Sequence, residues 1–170
     1  MPEEFSDSRR KFIGYAIGGI AGAITIGYAV PLATYLIKPA LQKEDEPWSL
    51  VSSIENIPVG QPTSLTFYSH VKVGWEEKKA EHDVWVVKNP EGAVTVFSPV
   101  CPHLGCGYRW VEEIGHFECP CHASAYDIAG RVVAGPAPRP LDTLPSKVEE
   151  GRLYVKYEKY RLGIPRKVEA

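Results

Sequence analysis

The longest apolar run of the chain lies near its N-terminus. From Phe12 to Ile37 the sequence carries no charged residue. A helix of 12–37 would be about 39 Å long at 1.5 Å per residue, which exceeds the roughly 30 Å hydrocarbon core of a bilayer. The alternative is the buried helix of a soluble protein, but a domain of this size could not enclose so long an apolar segment. The pattern therefore predicts a transmembrane helix over 12–37, which Pro31 should kink or end.

Beyond residue 47 the apolar positions alternate with polar ones, and no stretch keeps a helical period. Alternation is typical of strands with one buried face. It occurs in four segments: 63–68, 83–88, 93–97 and 151–157. Asn89-Pro-Glu-Gly92 has the composition of a tight turn and predicts a hairpin over 83–97, whereas the charged stretch 74–82 predicts a solvated loop. We therefore expect an all-β, antiparallel domain of about 120 residues.

Prolines and charges separate the two patterned regions. Residues 38–47, KPALQKEDEP, read as an exposed flexible tether. The length of 170 residues suits one globular domain with a smaller addition. The predicted organisation is an N-terminal segment, a transmembrane helix, a tether and a head domain, over 1–11, 12–37, 38–47 and 48–170.

The charge distribution predicts an orientation in the membrane. Arg9, Arg10 and Lys11 precede the apolar run, whereas Lys38 and Lys43 beyond it are balanced by acidic residues. The positive-inside bias places the N-terminus in the cytoplasm and the head on the outer face of a prokaryotic cell membrane. Ser8-Arg-Arg-Lys-Phe12 also resembles a twin-arginine export signal. The run exceeds the 7–15 residues of a removable signal, so we expect a single-pass anchor that is retained.

The net charge of −2 gives the chain no broad basic surface of the kind that binds nucleic acids, so we expect no nucleic-acid partner.

The candidate chemistry lies in the cysteines and histidines. All four cysteines fall in two motifs, Cys101-Pro-His-Leu-Gly-Cys106 and Cys119-Pro-Cys-His122. Thiolates and imidazoles both bind zinc or iron. On these grounds alone a zinc site, a disulfide-bonded module and an electron-transfer centre all remain open.

The two motifs resemble the paired cluster-binding loops of Rieske iron-sulfur proteins. The similarity is closest to the membrane-anchored Rieske subunits of cytochrome bc and related quinol-oxidising complexes, and its detailed part covers about 99–141. It implies a Rieske-type β-sandwich head with a cluster-binding subdomain that holds one 2Fe-2S cluster. The implied ligands are Cys101 and Cys119 for one iron, and His103 and His122 for the other. The resemblance further implies a disulfide between Cys106 and Cys121.

Neighbouring residues extend the resemblance. Ser124 and Tyr126 match the family's serine and tyrosine. Their hydroxyl groups are expected to donate hydrogen bonds to the sulfurs of the cluster or of its ligands and so to raise its reduction potential. Residues Gly135, Pro136 and Pro138 match the family's proline loop, which would shield the cluster. Two positions depart from the family pattern: Pro102 stands where threonine is usual and Ala123 where glycine is usual.

The resemblance also implies a function and partners. The expected protein is an electron-transfer subunit of a dimeric quinol:cytochrome oxidoreductase, catalytic only within that complex. Quinol would dock at an exposed tip formed by His122, His103, Leu104 and Gly105, with Gly105 and Gly107 allowing tight turns. The partners would be a cytochrome b subunit and a c-type cytochrome. The Rieske small subunit of an arsenite-oxidising enzyme is the alternative, because it shares the disulfide and the export signal.

Overall fold

The computed structural model describes residues 3–41, 47–73 and 76–170, and separates an N-terminal helix from a β head. Helix α1 (Glu3–Leu41) contains the predicted span, and its part Asp7–Lys38 is long and apolar enough to cross a membrane. It does not end at Pro31, because proline removes a single hydrogen bond from a helix that continues on both sides. Of the predicted tether over 38–47, residues 38–41 belong to α1, and residues 42–46, half of it, lie outside the described residues.

The head is built from short antiparallel strands. They are β1 (Ser49–Ser53), β2 (Thr63–Val73), β3 (Glu76–Lys88), β4 (Val94–Phe97), β5 (Arg109–Val111), β6 (His116–Cys119), β7 (Ser124–Tyr126), β8 (Val132–Ala134), β9 (Ser146–Glu149) and β10 (Arg152–Val155). They form three sheets, ordered β1-β10-β9, β2-β3-β4 and β5-β6-β7-β8. The only helix in the described part of the head is a short 3₁₀ turn, Ile54–Asn56. The predicted all-β antiparallel head is confirmed.

The sheet β2-β3-β4 is packed on both faces, because successive side chains of a strand point to opposite sides. Val86 of β3 and Val96 of β4 belong to a core shared with Leu153 and Val155 of β10. Their neighbours Val87 and Phe97 belong to a second core, which includes buried residues of β6 and β7. The head is therefore layered, and β3 and β4 connect the sandwich to the four-stranded sheet.

Each predicted strand overlaps an observed one: 63–68 and 83–88 lie within β2 and β3, whereas 93–97 and 151–157 extend beyond β4 and β10. The hairpin over 83–97 is confirmed: β3 pairs with β4, and Gly92 takes a left-handed φ of +86° in the turn. The prediction of a loop over 74–82 is wrong for its described part, since β3 begins at Glu76 and pairs with β2 as far as Val73. Residues 76–79 of β3 are all exposed, so this polar stretch carries no alternating pattern that would predict a strand.

Candidate metal centre

The first motif forms a closed loop between β4 and β5. The backbone N–H of Cys101 donates to the carbonyl of Cys106 at 2.8 Å, and the N–H of Gly105 donates back to the carbonyl of Cys101 at 2.9 Å. Gly105 has a φ of +80°, a conformation that glycine adopts without strain. Gly107 has no such φ, so the expected special turn occurs at Gly105 alone of these two glycines. We call residues 101–106 the first loop.

The second motif connects β6 to β7. Cys119 is the last residue of β6 and pairs across the hairpin with Ser124, the first residue of β7. Residues 120–123 form the second loop, and its last residue, Ala123, has a φ of +55°. The side chains of Cys119 and Ser124 therefore point from the base of this hairpin into the protein, and both are buried.

A disulfide joins the two loops. Cys106 and Cys121 are bonded, with their Cα atoms 6.6 Å apart, within the usual range for a disulfide. The pairing implied by the resemblance is confirmed. The sulfur atoms of Cys106, Cys119 and Cys121 lie within 4.8 Å of one another, but the two bonded sulfurs cannot act as thiolate ligands. Cys119 is therefore the metal-binding candidate of that group.

The two remaining cysteines are free and buried. Cys101 is 1% exposed and Cys119 is 3% exposed. Burial raises the pKa of the Cys119 thiol, whereas backbone N–H groups of Cys121 and His122 donate to its sulfur and act in the opposite direction. Those donors would stabilise a thiolate bound to metal, since a cation compensates the cost of burying the charge.

The two histidines face each other at the surface side of the site. The ring centroids of His103 and His122 lie 4.8 Å apart, with the rings nearly perpendicular at 87°. His103 is partly exposed and His122 is exposed, unlike the buried cysteines. Leu104, beside His103, is 61% exposed. The structure thus brings together two buried sulfurs and two accessible imidazoles on loops joined by a disulfide.

Two hydroxyl groups lie beneath the loops. The phenol oxygen of Tyr126 is 3.0 Å from the sulfur of Cys101. Burial raises the pKa of Tyr126 far above its usual range, and the contact with Cys101 adds to this, so the phenol keeps its proton and can donate it to the sulfur. The hydroxyl oxygen of Ser124 is buried and has no hydrogen-bond partner among the described residues. A buried polar atom of this kind calls for an acceptor that protein atoms do not supply.

The proline loop packs directly on the second loop. A Cβ atom at Gly135 would lie 2.4 Å from the Cα of Ser124 and 2.6 Å from the carbonyl oxygen of Ala123. Gly135 also has a φ of +89°. Glycine is required here for both reasons, and the loop that continues through Pro136 and Pro138 is held close to the site.

Sequence reasoning did not identify several residues that support the site. Tyr108 donates from its phenol to the carbonyl of Ser98 at 2.6 Å, beneath the first loop. Arg139 and Asp142 form a buried ion pair immediately after the proline loop. A single arginine after a proline-rich segment gives no signal in the sequence, because its partners include backbone carbonyls that no side-chain pattern reveals.

Known proteins resemble this chain over most of its length. Residues 48–145 match the Rieske [2Fe-2S] domain model. The menaquinol:cytochrome c reductase iron-sulfur subunit of Geobacillus thermodenitrificans is 32% identical over 153 residues, which cover 87% of this chain and 90% of that protein. The cytochrome b6-f complex iron-sulfur subunit of Chlorobaculum thiosulfatiphilum is 29% identical over 141 residues, 83% of this chain and 71% of that one.

A solved structure of a hyperthermophilic respiratory complex III contains a chain that is 26% identical, with a TM-score of 0.44, over 83% of this chain and 98% of that one.

The donor set fits the group that the family model names. Two buried sulfurs, two imidazoles and an unpaired buried hydroxyl suit an iron-sulfur centre with mixed ligands, whereas a structural zinc site would not require the hydroxyl groups. The family match covers more than half of the chain. The chain belongs to the Rieske [2Fe-2S] family and carries one 2Fe-2S cluster.

Proposed function

We propose that this protein is the membrane-anchored Rieske subunit of a quinol:cytochrome oxidoreductase, and that it moves electrons from quinol to a c-type haem. The observation that carries the proposal is the asymmetry of the site. The free cysteines Cys101 and Cys119 are buried, whereas His122 is exposed and His103 is partly exposed. The names of the relatives, a menaquinol:cytochrome c reductase subunit and a cytochrome b6-f subunit, support this type of complex.

The proposed ligands divide between the two loops. Cys101 and Cys119 would hold one iron from the buried side, and His103 and His122 would hold the other from the exposed side. Neutral imidazoles leave less negative charge on the centre than thiolates do, and potentials of such centres are roughly −150 to +300 mV. The O–H of Tyr126 toward Cys101, and that of Ser124, would raise the potential further by stabilising added negative charge.

The accessible histidines are the candidate groups for proton transfer. A ligated imidazole keeps one ring nitrogen free, and we propose that this nitrogen of His122 accepts a hydrogen bond from the quinol hydroxyl and then its proton. When bound, the cluster supplies the one-electron acceptor, while a cytochrome b takes the second electron of quinol. His103 shares the exposed tip, and Leu104 provides apolar contact for docking.

Anchoring and export complete the proposal. Helix α1 would hold the subunit in the membrane, with Arg9, Arg10 and Lys11 on the cytoplasmic side and the head outside. The twin-arginine motif over Ser8–Phe12 would export the head after it has folded around its cluster. Co-purification with a cytochrome b would distinguish this complex from an arsenite-oxidising one.

The test is electron paramagnetic resonance of dithionite-reduced membranes. We expect the low average g value of a 2Fe-2S centre with mixed histidine and cysteine ligands, and we expect His122→Ala to abolish it by removing an iron ligand. His70→Ala is the matched control, because His70 lies exposed on β2 and should leave the signal intact. A full signal in His122→Ala, or no signal in the unaltered protein, would contradict the ligand assignment.

A further inference from the structure

The chain continues past β10 into a segment that lies outside the matched Rieske domain. Residues 159–170 fold back on themselves: the N–H of Arg161 donates to the carbonyl of Val168 at 2.8 Å, and the N–H of Ala170 donates to that of Lys159 at 2.9 Å. We call this segment the C-terminal strap. Its base is held at Thr143, whose carbonyl accepts bonds from Lys167 at 2.6 Å and from Tyr160 at 3.1 Å.

The tip of the strap contacts the first loop. The N–H of Gly163 donates to the carbonyl of Pro102 at 2.9 Å. The Leu162 side chain approaches so closely that a Cβ on Gly105 would be 2.7 Å from its Cδ1 atom. Both contacts fall between Cys101 and Cys106, in the loop that carries His103. The strap therefore contacts the first loop at Pro102 and Gly105, neither of which takes part in the disulfide.

Arg139 connects the strap to the proline loop. Its guanidinium makes a bidentate pair with Asp142, at 2.9 Å from Nε and 2.7 Å from Nη2. Further N–H groups donate to the carbonyl of Ile164 at 2.6 Å and to that of Arg161 at 2.8 Å. These two carbonyls flank Leu162 and Gly163. Only the planar fork of arginine offers donors in this arrangement, so lysine could not replace it.

We infer that Arg139 is a positioning residue for the cluster: through the C-terminal strap it holds the first loop, and with it Cys101 and His103, in place. The side chains of Arg139 and Asp142 are nearly inaccessible, at 4% and 2% exposure, so solvent does not weaken the ion pair between them. Because the base of the strap is held separately at Thr143, loss of the Arg139 contacts should release the tip alone.

The test uses the full-length protein with its cluster and measures backbone hydrogen exchange. Removing Arg139 alone would leave a buried, unpaired carboxylate, so the main variant is the double substitution Arg139→Met with Asp142→Leu, which removes both charges. We expect amides of the first loop, including those of Cys101 and Gly105, to exchange at least about fivefold faster. Amides of the sandwich core over 84–86 should be unchanged.

A second variant keeps the inference testable if the double variant fails to fold. Leu162→Ala removes the contact with Gly105, whereas Val168→Ala removes an equally exposed side chain, 40% in both cases, from the opposite arm of the strap. We expect the first-loop amides to exchange faster in Leu162→Ala and at an unchanged rate in Val168→Ala. Unchanged first-loop exchange in Leu162→Ala, or equal acceleration throughout the head, would overturn the inference.

The effect of the strap on the cluster rests on the proposed function, in which Cys101 and His103 are ligands. Electron paramagnetic resonance tests that ligand assignment separately from the role of the strap. If the first loop supplies ligands, the spectrum of the reduced double variant should broaden without loss of spins. Faster exchange with an unaltered spectrum would support the role of the strap and count against Cys101 and His103 as ligands. Unchanged exchange would count against the strap, whatever the spectrum shows.

Discussion

Ala123, one of the two departures from the family pattern noted in the sequence, adopts a left-handed backbone directly after His122. Its φ is +55°, and the Cβ atom of an L-residue makes that conformation unfavourable by roughly 1–2 kcal/mol. The sequence showed that alanine stands here in place of the usual glycine of the family pattern. It could not show the backbone angle φ of Ala123, because residue type alone does not determine φ. The structure shows that the chain keeps the glycine-type turn and bears its strain beside a histidine of the site.

Ala123→Gly should therefore stabilise the head. Relief of the left-handed strain exceeds the roughly 0.4–1 kcal/mol of chain entropy that glycine loses on folding, which leaves a gain of about 1 kcal/mol. Thermal unfolding followed by circular dichroism should show a rise of about 4 °C. Ala125→Gly, in strand β7 and without a left-handed φ, is the control and should lower the melting temperature. A fall in both variants would show that the turn is not strained.

At the scale of elements, the sequence predicted four strands, and it missed six of the described ones: β1, β5, β6, β7, β8 and β9. β2, β3, β4 and β10 contain enough alternating positions to establish a period. β5, β7 and β8 have three residues each, which is too few for any period, and they are defined by pairing with distant neighbours. The loops of the site were predicted from their residue types, whereas their contacts with the proline loop depend on three-dimensional packing.

The contact between the proline loop and the second loop can be tested at Gly135. Gly135→Ala introduces both backbone strain and a collision with the backbone at Ser124, which cannot move without displacing the β6-β7 hairpin. Gly115→Ala is matched for strain, with a φ of +64° but open space around it. We expect Gly135→Ala to lose most of its bound iron and Gly115→Ala to retain it, as measured by iron analysis of purified protein. Equal iron contents would contradict close packing of the loop.

At the scale of the whole molecule, one cluster has to meet two partners if the proposed function is right. We propose that the head moves on the tether over 38–47, of which residues 42–46 lie outside the described residues. A proline-rich insert there would be stiff and extended, whereas a glycine-serine insert of the same length would remain flexible. Quinol:cytochrome c turnover in membranes should fall severalfold with the stiff insert only, with the cluster signal unchanged in both. Equal turnover would argue against movement of the head.

The disulfide between Cys106 and Cys121 has a consequence for assembly. In the structure with this bond closed, the thiols of Cys101 and Cys119 are only 1% and 3% exposed. An incoming iron donor would therefore have little access to them. We therefore expect the cluster to be inserted before the bond forms, in the reducing cytoplasm, with oxidation following outside. Thiol labelling of cluster-free protein should then detect Cys101 and Cys119 only after the disulfide is reduced. The bond would thus close access to the site after the cofactor is bound and make its incorporation irreversible as long as the disulfide persists.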